Sequence, residues 1–173
     1  MVDSPPKEPA AWRRAQRQAL IDQRMAVDKE TLARWQLAMD RHLAQWFPDV
    51  ARGGAVIAIC WPHRNEYDAR GLAARWRAAG ATIALPLVAE PGTPLRFRAG
   101  NEDTPLAQGS LGIPYPAQGG ELTPGVMLLP AVGFDAQGYR LGYGGGYFDR
   151  TLAAMQARPL VIATAYEISR MAT

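Results

Sequence analysis

The run Gly142-Tyr143-Gly144-Gly145-Gly146-Tyr147-Phe148-Asp149 is the part of the chain best suited to chemistry. It places four glycines within five positions, between an apolar strand-like segment and a helix-like one. Glycine tolerates positive φ and lets a ligand approach the backbone. Successive amides can then point into one concavity, and the start of a following helix adds partial positive charge. Those are the requirements for holding a phosphate chain. The spacing is neither that of a Walker A loop nor that of a dinucleotide fingerprint. Arg140, just before the loop, could neutralise phosphate charge. Asp149, just after it, could hold magnesium directly or through water. Tyr143, Tyr147 and Phe148 could wall a flat heterocycle. The plainer reading of the same residues is a glycine-rich turn flanked by core aromatics.

The elements that must position this loop are legible as changes of period. Residues 1–9 carry three prolines and no pattern, and are expected to form a loose tail. A helix is expected from about Ala10 to Met25, with Arg13, Arg14 and Arg17 on its early turns. Asp28 is placed to N-cap a second helix. There Leu32, Trp35, Met39, Leu43 and Trp46 recur at spacings of three and four, which makes one apolar face. The run Ala55–Cys60 is continuously apolar, as in a buried parallel strand. The polar loop Trp61–Asp68 follows, and Asp68 is expected to cap a third helix over Ala69–Ala79, closed by Gly80. Residues 81–88 read as a second strand and 95–99 as a more exposed one. Residues 100–125 are rich in Gly and Pro and read as a long loop, with a short extended piece at 112–116. Residues 126–130 form a fourth apolar strand. Residues 131–150 read as a loop running into a helix that ends near Ala157, and 160–167 as a last strand.

Helices alternating with apolar strands predict an α/β fold of three-layer α/β/α type, Rossmann-like, with a mostly parallel, mixed central sheet. In such folds ligands bind beyond the carboxyl ends of the strands. Trp61–Asp68, the Gly/Pro loop and the glycine run all fall there.

Composition narrows the class. Of 173 residues, 48% are hydrophobic and 20% charged, which suits a soluble globular domain. No run approaches the roughly 18 apolar residues of a membrane span, and the N-terminal segment has no apolar stretch of signal-peptide type. One cysteine excludes an internal disulfide framework. A cytoplasmic protein is the simplest reading. The net charge of +3 is too slight and too scattered to argue for a nucleic-acid partner. His42 lies in a helix with no partner in view, and nothing fixes a role for His63. Cys60 reads as a small buried apolar residue rather than a nucleophile.

Phe134-Asp135, Gly138, Arg140-Leu141-Gly142, Gly144-Gly145-Gly146-Tyr147 and Asp149, with the preceding Leu-Pro-Ala-Val-Gly, together resemble the signature of the 5-formyltetrahydrofolate cyclo-ligase family. Gly145 takes the glycine form common in bacterial members, and Phe148 stands where a tyrosine is common. The resemblance covers roughly residues 10 to 167. It implies ATP-dependent conversion of 5-formyltetrahydrofolate to 5,10-methenyltetrahydrofolate, with Mg2+ and ATP as cofactor and co-substrate. It further implies ATP contacts from Arg13, Arg17, Arg140, Leu141, Gly142, Tyr143, Gly144, Gly145, Gly146, Tyr147 and Phe148. Folate contacts would come from Trp61, Glu66, Tyr143, Gly144, Gly145, Gly146 and Tyr147. Arg140 and Tyr147 would be catalytic, and Asp149 would hold the metal. Without the resemblance, Arg13 and Arg17 read as a solvated basic face, and Glu66 as an exposed loop glutamate.

The implied partners are ATP and 5-formyltetrahydrofolate, with or without a polyglutamate tail. No nucleic acid or membrane is involved, and the chain would act as a monomer or weak dimer. The expected organisation is one domain over 10–173. The family's chains continue past the last strand through a histidine-aspartate motif, and 168–173 carry none. A C-terminally short domain is therefore expected, with a catalytically impaired folate- or nucleotide-binding relative as the alternative.

Overall fold

The computed structural model describes residues 9–101, 103–109 and 112–171. Of the expected tail, residues 1–8 lie outside the described residues. Pro9 already opens helix α1 (Pro9–Met25), where a proline lacking its N–H does no harm. Helix α2 (Lys29–Trp46) starts as expected, with Asp28 Oδ1 accepting from Thr31 N at 2.8 Å. Strand β1 (Val56–Ala58) leads into α3 (Arg70–Ala78), β2 (Thr82–Leu87) and β3 (Arg96–Ala99). Then come β4 (Leu106–Gln108), β5 (Pro114–Pro116), β6 (Val126–Pro130), β7 (Gly133–Phe134) and β8 (Arg140–Leu141). Helix α4 (Tyr147–Ala154) and β9 (Leu160–Thr164) complete the order.

Five strands form one sheet in the order β3-β2-β1-β6-β9. The pairs β1–β2, β1–β6 and β6–β9 are parallel, and β3 is an antiparallel edge on β2. The expected mostly parallel, mixed sheet is therefore present. Its strands are apolar on both faces because both faces are covered. On one face Ile57, Ile59, Ile83, Leu85, Val126, Leu128 and Ile162 pack with Leu43 of α2 and with Leu72, Ala73 and Trp76 of α3. On the other, Ala58, Ala84, Phe97, Met127 and Leu129 meet Phe148 and Leu152 of α4. These are the three expected layers. Ile57 and Met127 are fully buried, and each such side chain contributes about 1.5–3 kcal/mol. A charged residue at either position would break the layer.

Several local features differ from the sequence reading. Trp46 was expected on the apolar face of α2 but is 65% exposed, stacked on His42 with centroids 4.9 Å apart. It is the last residue of its helix, beyond the reach of the core. Asp68 does not cap α3 from the N-cap position, which is Ala69. Instead its Oδ1 accepts from Arg70 N at 3.0 Å, an Asx turn that serves the same end. Helix α4 ends at Ala154, short of Ala157. The loop over 131–150 contains a small antiparallel pair, β7 with β8. The extended piece near 112–116 is β5, and it has a partner in β4 that was not expected.

Two prolines shape the end of the sheet. β1 pairs with β2 only through Ala58↔Ala84, so Pro86 lies beyond it and pairs only with β3. A proline there costs no ladder bond to a central strand. Pro130 ends β6. Because β1 stops early between these neighbours, a cleft opens beyond its carboxyl end. That is also where the chain order reverses, with β2 on one side of β1 and β6 on the other.

Candidate active site

A cleft of about 580 Å³ occupies this switch point. It is lined by Arg13, Arg17, Trp61, Glu66, Asp149 and the whole run Arg140–Phe148, so the fold brings every site residue named from the sequence to one cavity. A cavity of this size suits a small-molecule ligand.

One end is basic and glycine-rich. The β7–β8 pair sends the chain back across the sheet end, and Gly144 (φ 96°) and Gly146 (φ 65°) turn it into α4. Both need glycine for that backbone. Three arginines close on the loop. Arg17 Nε donates to Gly142 O at 2.7 Å, and a Cβ on Gly144 would lie 3.2 Å from Arg17 Cζ. Arg140 Nη2 donates to Asp149 Oδ1 at 3.1 Å. Arg150 Nη2 donates to Gly145 O at 2.6 Å and packs over the Tyr147 ring. The amino end of α4 faces the same space, so partial positive charge and guanidinium groups converge there.

The cleft is also walled by Trp61, Pro86, Leu87, Leu95 and Tyr115, and Glu66 lines it as well. Tyr115 comes from the unexpected β4–β5 pair. Glu66 is not the exposed loop glutamate of the plain reading, because it is only 9% exposed. Its Oε1 accepts from Tyr143 Oη at 2.7 Å and its Oε2 from the His63 amide at 3.1 Å. Burial raises its carboxyl above the usual range. The Tyr143 bond, the charges of Arg24 and Arg64, and the His63 bond pull against this without overcoming it. Each oxygen keeps a lone-pair site, so two N–H donors of a flat heterocycle could be accepted side by side.

His63 thus serves the site through its backbone, and burial, then the charges of Arg64 and Arg24, lower its imidazole pKa from the ordinary value. Burial pushes the Cys60 thiol up, with Glu66 adding to it, so it is no nucleophile.

Sequence reasoning missed Arg24. It is buried at 2% exposure and bonds to the Tyr143 hydroxyl at 2.9 Å. The spacing of Arg13, Arg17 and Arg24, by four and seven, placed it on the face of the two site arginines, but carried no sign of its burial.

Among the described residues no cluster of three or more His, Cys, Asp or Glu could hold a metal by itself. Magnesium at a phosphate site does not need one, since it takes one or two carboxylates and completes its shell with phosphate oxygens and water. The exposed carboxylate of Asp149, beside the glycine loop, fits that donor set. No helix among the described residues is long and apolar enough to cross a membrane.

The fold and the cleft define an α/β layered protein with a ligand site at a topological switch point. The chain belongs to the 5-formyltetrahydrofolate cyclo-ligase family, whose model it matches over residues 9–172. It is 35% identical over 77 residues to the 5-formyltetrahydrofolate cyclo-ligase of Haemophilus influenzae, a match spanning 40% of this chain and 40% of that relative. Its fold is similar to the NMR structure of Aquifex aeolicus 5,10-methenyltetrahydrofolate synthetase, with TM-score 0.76 and 25% identity over 91% of this chain and 79% of that one. The synthetase structure from Mycoplasma pneumoniae shares the fold at TM-score 0.75 and 20% identity, over 93% and 89% of the two chains.

Proposed function

We propose that the chain closes 5-formyltetrahydrofolate to 5,10-methenyltetrahydrofolate at the expense of ATP. The observation that carries this is the joining of two unlike subsites in one cleft, an arginine-lined glycine loop and a buried carboxylate in an apolar pocket. The first suits a triphosphate and the second a pterin edge.

A formamide carbonyl is a poor electrophile, and its oxygen is a poor leaving group. Transfer of the γ-phosphoryl group of ATP to the formyl oxygen converts that oxygen into a good leaving group, with release of ADP. The N10 amine of the folate then attacks the formyl carbon and loses its proton to solvent, and phosphate departs as the five-membered ring closes. The work of the protein in such a reaction is positioning and charge stabilisation. Arg13, Arg17 and Arg140 hold the phosphates with the amides of Gly142 to Tyr147. Arg140 and Tyr147 border the transferred group. Glu66 accepts from the pterin, and Trp61 packs on it. Asp149 would hold Mg2+, which supplies charge neutralisation on the phosphates. The family resemblance extends this to a folate with or without a polyglutamate tail. It also supports a cytoplasmic monomer or weak dimer organised as one domain over 10–173.

The test is the near-ultraviolet absorbance of methenyltetrahydrofolate when purified chain, 5-formyltetrahydrofolate, Mg2+ and ATP are mixed. A rise that needs ATP and is reduced in Glu66→Ala supports the reading. A flat trace from folded protein that still binds folate would make the chain a non-catalytic binder.

A further inference from the structure

Arg24 is a buried cation that does not line the cleft. Burying a guanidinium is costly unless its donors and charge are matched. Its donors reach three separate pieces of chain. Nε donates to Arg64 O at 2.8 Å, Nη1 to Ala131 O at 3.4 Å, and Nη2 to Tyr143 Oη at 2.9 Å, with Glu66 Oε1 3.7 Å away. Its own carbonyl accepts from Asn65 Nδ2 at 3.4 Å. Arg64 (φ 51°) and Asn65 (φ 57°) both sit in the left-handed region. Asn takes that backbone comparatively readily, but a long side chain such as that of Arg64 does so seldom, and mainly where the surroundings impose it. This strained turn immediately precedes Glu66, and Arg24 grips it through both its side chain and its carbonyl.

We propose that Arg24 is the positioning residue of the folate subsite: it locks Glu66 and Tyr143 into one preformed acceptor without touching either substrate. The inference rests on the folate reading above. Because the Tyr143 oxygen accepts from Arg24 Nη2, its single proton is left to donate to Glu66 Oε1. The chain Arg24–Tyr143–Glu66 therefore fixes the hydroxyl proton as well as the carboxylate. A planar fork on a rigid helix does this, and an ammonium on a flexible stem does not.

A scaffold role and a positioning role predict different pH behaviour. The groups facing Glu66 are Arg24 from α1, Cys60, His63 and Arg64 from its own loop, and Tyr143 from the glycine loop. Arg64 is exposed, and Arg24 is the buried cation among them whose charge favours ionised Glu66. Without it, Glu66 should hold its proton to higher pH, and the acid limb of folate binding should move with it.

The experiment measures binding of 5-formyltetrahydrofolate by calorimetry across pH, and the KM for each substrate, in the intact chain and in Arg24→Gln and Arg24→Lys. The expected result is at least about tenfold weaker folate binding in Arg24→Gln, with the KM for ATP changed by less than about threefold. Its acid limb should move to higher pH. Arg24→Lys should return the limb toward its original position while regaining only part of the affinity. Folded variants with unchanged folate affinity, or an equal loss for both substrates, would overturn the proposal. So would failure of both variants to fold, which would make Arg24 a framework residue. Folate binding by the parent chain without turnover would refute the activity reading and leave this comparison intact. No folate binding by the parent chain would refute both.

Discussion

The Tyr143 hydroxyl donates to Glu66 Oε1 at 2.7 Å, joining the glycine loop to the loop after β1 across 77 positions of sequence. The two subsites of the cleft are thus mechanically one. Tyr143→Phe leaves Arg24 Nη2 and Glu66 Oε1 each short of a partner. A lost hydrogen bond to a charged group is worth about 1.5–3 kcal/mol. Folate affinity is expected to fall about tenfold to a hundredfold, measured by calorimetric titration. Unchanged affinity would place the pterin away from Glu66.

Gly144 and Gly138 both have positive φ, at 96° and 85°, but differ in their neighbours. A Cβ on Gly144 would meet Arg17 at 3.2 Å, while Gly138 has open space. Either alanine variant should lose about 1–2 kcal/mol of stability from backbone strain. The KM for ATP is expected to rise about tenfold in Gly144→Ala and to stay near the parent value in Gly138→Ala. Steady-state kinetics beside chemical denaturation separates the two effects. Equal KM values would mean that the loop does not hold phosphate.

Glu66 gives opposite pH trends for folding and binding. Burial, the largest influence, raises its carboxyl above the ordinary value of 4.5. Its contribution to stability is therefore fully present below that value and is lost as pH rises through the raised one. If the ionised carboxylate accepts from the folate as proposed, affinity should grow over the same window. Glu66→Gln should flatten both profiles, as read by denaturant titration and calorimetry at a series of pH values. A binding profile already flat in the parent chain would refute the role of Glu66 as an ionised acceptor.

Asp149 pairs with Arg140, yet its side chain is 76% exposed. Such a pair contributes about 0–1 kcal/mol, so Asp149→Asn should leave the melting temperature nearly unchanged. The Mg2+ concentration for half-maximal activity should rise about tenfold or more if this carboxylate contacts the ion. An unchanged magnesium requirement would move the metal elsewhere.

The layered fold was legible because the continuously apolar strands 55–60 and 126–130 and the three-four spacing of α2 have few alternative readings. The glycine loop that lines the cleft was legible from glycine density. What escaped were features made only by tertiary approach. Arg24 sits on a helix whose sequence looks basic and solvated. Nothing local says that its guanidinium is buried, because its partners lie 40, 107 and 119 positions away. β4 is three residues long, and β7 and β8 two each, too short to show a period. Trp46 fits the apolar spacing of α2 and still faces solvent, because a helix can outrun its core.

The contact from Arg17 to Gly142 spans 125 positions, and that from Glu66 to Tyr143 spans 77. Local sequence shapes each loop but does not by itself bring the two together. Contacts of such separation carry a loop-closure cost that must be met before they return any contact energy. The cleft is therefore expected to form after the helices, whose contacts are local. During refolding, recovery of activity should lag behind recovery of helix signal.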